Sequence, residues 1–190
     1  MCKSNEIKYS YATFADAYGI NYVAAHSWKE TYSGLLPNKY LDDRIKNISS
    51  KTEATKKFLG TYNGKYIVAK DKGKVIGILA FCPSMNEKYK EYGYLNAIYV
   101  LKDYQGYGIG KELFKRAVYG LRQMGYSKMK LECMCGNETL NFYKKYMGIV
   151  ECQIDYPIKD VGVVKADVVL FEDLAKTTEL LNINKSMLYK

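Results

Sequence analysis

The feature that most constrains this chain is a run of glycines, Gln105-Gly106-Tyr107-Gly108-Ile109-Gly110-Lys111. Glycine accepts left-handed backbone and lets the main chain approach a ligand closely. Before the run, Tyr94-Leu95-Asn96-Ala97-Ile98-Tyr99-Val100 reads as a strand. After it, Leu113, Phe114, Ala117, Val118, Leu121 and Met124 form one helical face, with Lys115, Arg116, Arg122 and Gln123 largely opposite. The N–H groups of that helix's first turn point back at the loop, so strand, loop and helix together make an anion site.

Two familiar phosphate loops fit this spacing poorly. A P-loop needs four residues between its first glycine and the Gly-Lys-Ser/Thr; Gly106 and Gly110 enclose three, and Glu112 replaces the hydroxyl that would hold magnesium. A dinucleotide fingerprint needs Gly-x-Gly-x-x-Gly, and Gly110 arrives one residue early. Glu132 lies near where a ribose-binding acid would stand, so that rival is weakened rather than removed.

The rest of the chain supplies an α/β frame. Ile7 to Tyr11 reads as a short strand. Phe14, Tyr18, Ala25, Trp28 and Tyr32 recur as one stripe of a long helix, softly broken at Gly19 and closed by Gly34. Pro37 opens a second helix through Tyr40 and Leu41, and a polar helical stretch runs from Lys51 to Gly60. Tyr66–Ala69 and Val75–Phe81 flank Asp71-Lys72-Gly73-Lys74 as a hairpin. Met129 to Met134 reads as a fifth strand, Glu138 to Tyr146 as a helix, and Val150 to Tyr156 and Lys165 to Phe171 as two last strands. No repeat or low-complexity linker interrupts this order, so residues 1–190 read as a single domain built on a mixed sheet.

Composition narrows the partners. Lys plus Arg is 29 against 20 acids, a formal charge of +9. Only Arg44, Arg116 and Arg122 are arginines, whereas base readers and phosphate forks favour arginine's planar donors. The scattered lysines therefore read as a solvated surface rather than a nucleic-acid face. No apolar run approaches the roughly 18 residues that span a bilayer. Met1–Glu6 lacks the apolar stretch of a signal peptide, and Cys2 stands where myristoylation requires glycine. No membrane partner is expected, and a cytoplasmic setting is. Cys133-x-Cys135 has no second pair, and His26 is remote from it, so no metal site is expected. Cys133 falls in an apolar strand and reads as packing.

The strand, Gln105-Gly106-x-Gly108-x-Gly110 and the helix together resemble the GNAT superfamily of acetyl-CoA-dependent N-acyltransferases. Asn137-x-x-x-Asn141-Phe142-Tyr143-Lys144-Lys145 is similar to that family's Asn…Phe-Tyr-Glu-Lys segment. Trp28-Lys29-Glu30-Thr31-Tyr32-x-Gly34-Leu35-Leu36-Pro37 is similar to the first-helix segment of its small-molecule and polyamine members. The resemblance runs from about Tyr9 to Asp173. It implies a mixed sheet with splayed strands four and five, flanked by helices on both faces.

The resemblance also implies roles. Acetyl-CoA would be the acyl-donor co-substrate. Ile98, Tyr99 and Val100 would pair their main chain with the pantetheine arm. Gln105, Gly106, Tyr107, Gly108, Ile109, Gly110 and Lys111 would cradle the pyrophosphate. Asn137 would bond the pantetheine or pyrophosphate, and Tyr143 would sit near the thioester sulfur.

A phenol of pKa near 10 stays protonated at pH 7 and can protonate a departing thiolate of pKa near 8.5, which makes Tyr143 the general-acid candidate. Trp28, Glu30, Tyr32 and Tyr94 are weaker candidates for the acceptor side. Two departures from the family pattern stand out. Tyr94, followed by Asn96, occupies the strand where many members carry a glutamate, which leaves Glu30, Glu91, His26 or water as base. Met147 replaces a customary glycine. The implied reaction is acetyl transfer to a primary amine of a small molecule, a polyamine among the options. The alternatives are acetylation of a protein N-terminus or lysine, or an acyl-CoA-binding sensor without turnover. A homodimer is left open.

Overall fold

The computed structural model describes residues 7–183; the readings on Met1–Glu6 and Cys2 lie outside them. The elements run β1 (Lys8–Tyr11), α1 (Ala17–Tyr32), α2 (Asn38–Lys46), α3 (Thr52–Thr61), β2 (Lys65–Asp71), β3 (Lys74–Pro83) and β4 (Tyr92–Val100). They continue with α4 (Ile109–Gln123), β5 (Lys128–Met134), α5 (Thr139–Lys145), β6 (Ile149–Ile158), β7 (Gly162–Phe171) and α6 (Leu174–Leu180). Short 3-10 turns occupy Phe14–Asp16, Glu87–Tyr89 and Lys102–Tyr104.

The strands form one mixed sheet in the order β1-β2-β3-β4-β5-β7-β6. β4 and β5 are parallel, with register from Tyr92↔Lys128 to Tyr94↔Lys130. From there β4 runs on to Val100 and β5 to Met134. β5 pairs antiparallel with β7, and β7 with β6. The α/β architecture expected from the glycine loop and its flanks is the observed one.

The chain divides into two compact units, and β3 and β4 contribute residues to both. One comprises the described residues up to Ala80 and Ala97–Leu113; the other comprises Phe81–Asn96 and the described residues from Phe114 onward. In the first, Ile20 and Val23 of α1 bury against Val68, Val75 and Ile78 of the hairpin, with Leu59, Tyr66 and Tyr99 packed around them. Burying one such side chain contributes about 1.5–3 kcal/mol. In the second, Phe114 of α4 meets Phe142, Tyr143 and Tyr146 of the α5 region and Phe171 of β7, at ring separations of 5.3, 5.8, 6.0 and 5.6 Å.

The first helix differs from its sequence reading. Phe14 sits in the preceding 3-10 turn and is 59% exposed, and Tyr18 is 51% exposed. The buried residues are Ala17, Ile20, Val23, Ala25, Ser27 and Tyr32, so Ala25 and Tyr32 of the expected stripe are buried while Phe14 and Tyr18 are not. Gly19 does not break the helix. A Cβ there would stand 2.7 Å from Val75 Cγ2, so its smallness serves packing. Met124, expected on the apolar face of α4, lies just past the helix end and is 37% exposed.

The hairpin turn is as expected, with Lys72 joining Gly73 in left-handed conformation (φ 48° and 84°). The α6 helix had not been expected. Its signal was Asp173, whose side chain accepts from Ala175 N at 2.9 Å and Lys176 N at 3.0 Å as an N-cap.

Candidate active site

In the first unit, the end of β4 and the start of α4 are locked before any ligand is considered. Leu101 N donates to Ile76 O at 3.0 Å, continuing the strand pairing just past Val100. The Lys102–Tyr104 turn follows, and Tyr104 Oη donates to Asp71 Oδ2 at 2.7 Å, tying the turn to β2. The Gln105 side chain folds back to donate to Val100 O at 2.9 Å, so it braces the loop's entrance.

Gly106 and Gly108 then take left-handed backbone, φ 79° and 81°, and a Cβ on either would meet nothing within 4 Å. Conformation, not crowding, demands glycine at these two positions, and the space beside them is open. Gly110 differs. It is helical, and a Cβ there would only graze Val100 Cγ2 at 4.0 Å.

The helical ladder begins with Glu112 N donating to Gly108 O at 3.0 Å. Ile109 and Gly110 therefore present N–H groups at the open first turn, where the helix dipole favours an anion. Tyr107 and Lys111 are exposed alongside. A cradle of main-chain donors, two left-handed glycines and clear space fits a pyrophosphate. Tyr99 packs against the core of this unit.

The α1–α2 face of the same unit carries the weaker acceptor-side candidates. Trp28 is covered by the Arg44 guanidinium, 4.0 Å above its ring, and meets the Tyr32 ring edge-on at 5.0 Å. Arg44 also donates to Tyr40 Oη at 3.3 Å. Trp28 and Tyr32 thus have a packing role. Asp42 pairs with Lys29 at 3.0 Å, and Asp43 pairs with Lys39 at 2.7 Å and Lys46 at 4.0 Å. The acids near this face are neutralised by lysines of the same two helices, while Glu30 is exposed.

In the second unit, Asn137 follows β5, and its Oδ1 accepts from Thr139 N at 2.9 Å to start α5. Tyr143 is 8% exposed, its ring held edge-on by Phe114 at 5.8 Å, Phe142 at 5.5 Å and Phe171 at 6.5 Å. Three aromatic neighbours fix the phenol's position. Met147, just after α5, takes a left-handed φ of 74°, the conformation the customary glycine would adopt without strain.

The parallel register of β4 and β5 also brings together residues that sequence spacing had separated. Tyr94 lies beside Lys130, and Lys130 Nζ reaches Glu132 at 2.6 Å. The Lys130 ammonium stands 4.6 Å from the Tyr89 ring centre and 5.2 Å from that of Tyr94. Burial pushes the Tyr94 phenol far up from its ordinary range, and the Glu132 charge adds to the shift. Glu132 Oε2 is buried with no hydrogen-bond partner. Leaving such a group unsatisfied costs about 1–3 kcal/mol. The dinucleotide rival placed Glu132 at a ribose; here the residue is committed to a lysine within its own strand. Sequence reasoning missed this cluster, since only the register reveals it.

Cys133 is buried, and burial pushes its thiol up to about 11, which suits packing. Among the described residues no group of three or more His, Cys, Asp and Glu could hold a metal ion. No helix there is long and apolar enough to cross a membrane.

The model of the Acetyltransferase (GNAT) family matches residues 25–149. The uncharacterized N-acetyltransferase YuaI of Bacillus subtilis (strain 168) is 29% identical over 136 residues, 71% of this chain and 76% of that protein. Two solved structures share the fold. One is the PaiA N-acetyltransferase of Thermoplasma acidophilum in complex with coenzyme A: TM-score 0.61, 18% identity, 84% of this chain and 97% of that one. The other is YncA of Salmonella typhimurium, a putative acetyltransferase with acetyl-CoA: TM-score 0.62, 18% identity, 90% and 95% covered.

Proposed function

The chain belongs to the acetyltransferase (GNAT) family and is an N-acetyltransferase, and from that premise we propose that it acetylates a primary amine of a small molecule, with acetyl-CoA as donor, by direct attack in a ternary complex. The observation that carries the reading is the main-chain cradle, with Gly106 and Gly108 left-handed beside open space at the start of α4. Gly106, Gly108, Ile109 and Gly110 bind the donor's pyrophosphate through main-chain N–H groups, and Lys111 and Tyr107 border it. Gln105 holds the cradle in shape. Ile98, Tyr99 and Val100 offer main-chain groups to the pantetheine amides, and Asn137 a side-chain amide.

The chemistry then needs a proton for the departing thiolate and a donor for the developing oxyanion. Tyr143 supplies the first, because its ring is held still by three aromatic neighbours and a phenol stays protonated at neutral pH. A main-chain N–H of β4 supplies the second. The paired state of Asp42 and Asp43 disfavours a polyamine, which needs several uncommitted acids, and favours an acceptor with one reactive amine.

The test is calorimetry with acetyl-CoA, followed by CoA release with spermidine, an aminoglycoside and short peptides. Binding together with release on a small amine supports the reading. Release on peptides alone moves the acceptor class, and absence of binding at millimolar acetyl-CoA overturns it.

A further inference from the structure

The charges on the α1–α2 face pair off and leave one over. Asp42 pairs with Lys29 at 3.0 Å, and Asp43 with Lys39 at 2.7 Å and Lys46 at 4.0 Å. Arg44, on the same helix, pairs with no carboxylate among the described residues. Its guanidinium stands 4.0 Å above the Trp28 ring and 5.8 Å from the Tyr40 ring centre, and Nη1 donates to Tyr40 Oη at 3.3 Å. Nε is sealed from solvent with no acceptor. The residue is only half-buried, so the Nη end is the part that a ligand can reach.

Carboxylate chemistry favours the opposite pairing. Arginine's planar fork suits a carboxylate better than a lysine ammonium does, because it bonds both oxygens at once. Here lysines hold both acids of α2, and the fork rests on two aromatic rings without a counter-ion. A cation fixed in this way is a receptor for an anion that the chain does not itself supply. It belongs to the same compact unit as the glycine loop. In that unit α1 packs Ile20 and Val23 beside Tyr99 and Leu101, at the end of β4 that leads into the loop. Trp28 stands five residues after Val23, about 7–8 Å further along the helix axis.

We infer that Arg44 receives a carboxylate of the acceptor, so that the amine acetylated is an amino acid rather than a plain amine or a polyamine. The inference rests on the acetyl-transfer reading above. The carboxylate takes the Nη end of the guanidinium, which Trp28 and Tyr40 hold in place, and the amine is left free to meet the thioester. The paired state of Asp42 and Asp43 agrees with this, since it takes two acids away from a second ammonium.

The experiment has two readouts. Trp28 is the only tryptophan in the chain and lies under Arg44, so its fluorescence reports on the receptor whether or not a donor is bound. Leucine, β-alanine and 6-aminohexanoate, each beside its primary amide, are titrated against wild type and Arg44→Met, with CoA present and absent. CoA release from acetyl-CoA then gives kcat/KM for the same compounds. At least one acid is expected to give a saturable fluorescence change that its amide does not, and Arg44→Met to abolish it. The acid-to-amide ratio of kcat/KM should fall by about 10–10²-fold in Arg44→Met, the range for hydrogen bonds to a charged group. Comparing ratios cancels the difference in amine pKa between acid and amide, because both proteins meet it equally.

An unchanged ratio makes Arg44 a clamp between two helices and overturns the inference, as does a wild type that prefers every amide to its acid. A loss of about tenfold or more in acetyl-CoA affinity in Arg44→Met assigns the anion to the donor's phosphates and also overturns it. Failure of wild type to bind acetyl-CoA sinks the functional reading instead. The fluorescence titration still decides the receptor in that case: an acid-specific change lost in Arg44→Met supports it, and no difference between acids and amides overturns it. Should Arg44→Met not fold, Arg44→Lys keeps the charge and removes the fork. A ratio lowered by about threefold or more then supports the inference, and a smaller change overturns it.

Discussion

The glycine loop and the Tyr94–Lys130–Glu132 cluster solve opposite problems. The loop prepares for a charged ligand with uncharged parts: left-handed glycines, main-chain N–H groups and empty space. The cluster buries real charges and pairs them at 2.6 Å. A main-chain site is built by contiguous residues, because neighbouring N–H groups converge only along one stretch of backbone. A buried side-chain site is built by register, because residues on different strands meet only once the sheet exists. The first kind therefore leaves a sequence signature and the second does not. The two should also fail differently when mutated, the loop in binding and the side chains in rate.

The largest expected effect is on rate. Tyr143→Phe keeps the ring that packs on Phe114, Phe142 and Phe171 but removes the proton. Its kcat should fall on the order of 10²–10⁴-fold while acetyl-CoA affinity stays nearly constant. Turnover within about twofold of wild type would move the proton donor to water and leave Tyr143 a packing residue.

Gly108→Val should show the converse. A β-branched residue at φ 81° is a strained outlier, so the loop must rearrange to accept it. Acetyl-CoA affinity should weaken by about 10–10²-fold, with kcat at saturating donor largely kept, since each factor of ten is about 1.4 kcal/mol. Gly110→Ala is the control. Helical backbone and a nearest atom at 4.0 Å leave room for a methyl group, so calorimetry should find affinity unchanged.

That contrast explains which parts were legible from residues alone. The loop, the hairpin at Gly73 and the apolar face of α4 are local patterns, and all three stand where expected. Glu132 entered only through the dinucleotide rival, and its surroundings stayed hidden because Tyr94 and Lys130 come together through a parallel pairing that a helical crossover delivers. The α1 stripe was half right for a related reason. Ala25 and Tyr32 are buried as expected, but Phe14 and Tyr18 are exposed, and Ile20 and Val23 pack against Val68, Val75 and Ile78 in their place. Asp42 and Asp43 stand side by side in the sequence, but only the fold shows them paired with Lys29, Lys39 and Lys46.

Asp16 sharpens the comparison from the side of stability, since it is a buried carboxylate that is satisfied. Asp16 Oδ1 pairs with Lys70 at 2.7 Å, and Oδ2 accepts from Thr13 N at 2.9 Å and Thr13 Oγ1 at 3.1 Å. Burial pushes its pKa up, but these bonds outweigh that and hold it below 3.8. A carboxyl depressed in the fold stabilises above its unfolded pKa and loses that contribution as pH falls through the folded value. Asp16→Asn should therefore cost about 2 kcal/mol at pH 7, near the value of hydrogen bonds to a charged group. Denaturation curves of the two proteins should converge below pH 3.8. A gap that persists undiminished in acid would mean that Asp16 acts through shape rather than charge.

The smallest effect concerns a left-handed residue with no ligand to serve. Met147 holds φ 74° in the turn where Gly148 N donates to Tyr143 O at 3.0 Å, and its side chain is 41% exposed. The strain of a left-handed non-glycine residue is roughly 1–2 kcal/mol, and little packing is available to offset it. Met147→Gly removes the strain but adds freedom to the unfolded chain, which returns about 0.4–1 kcal/mol. The net should be a stabilisation of about 0.5–1 kcal/mol, read as a melting temperature higher by about 1–4 °C for a chain of this length. Because the substitution keeps the backbone conformation that positions α5, kcat and acetyl-CoA affinity should stay within about twofold. The neighbouring Gly148 must behave in the opposite way, since a Cβ there would stand 2.9 Å from Tyr143 O and from Val169 Cγ1. If Met147→Gly lowers the melting temperature instead, the methionine side chain contributes packing that outweighs its strain, and the turn belongs with the side-chain sites rather than with the loop.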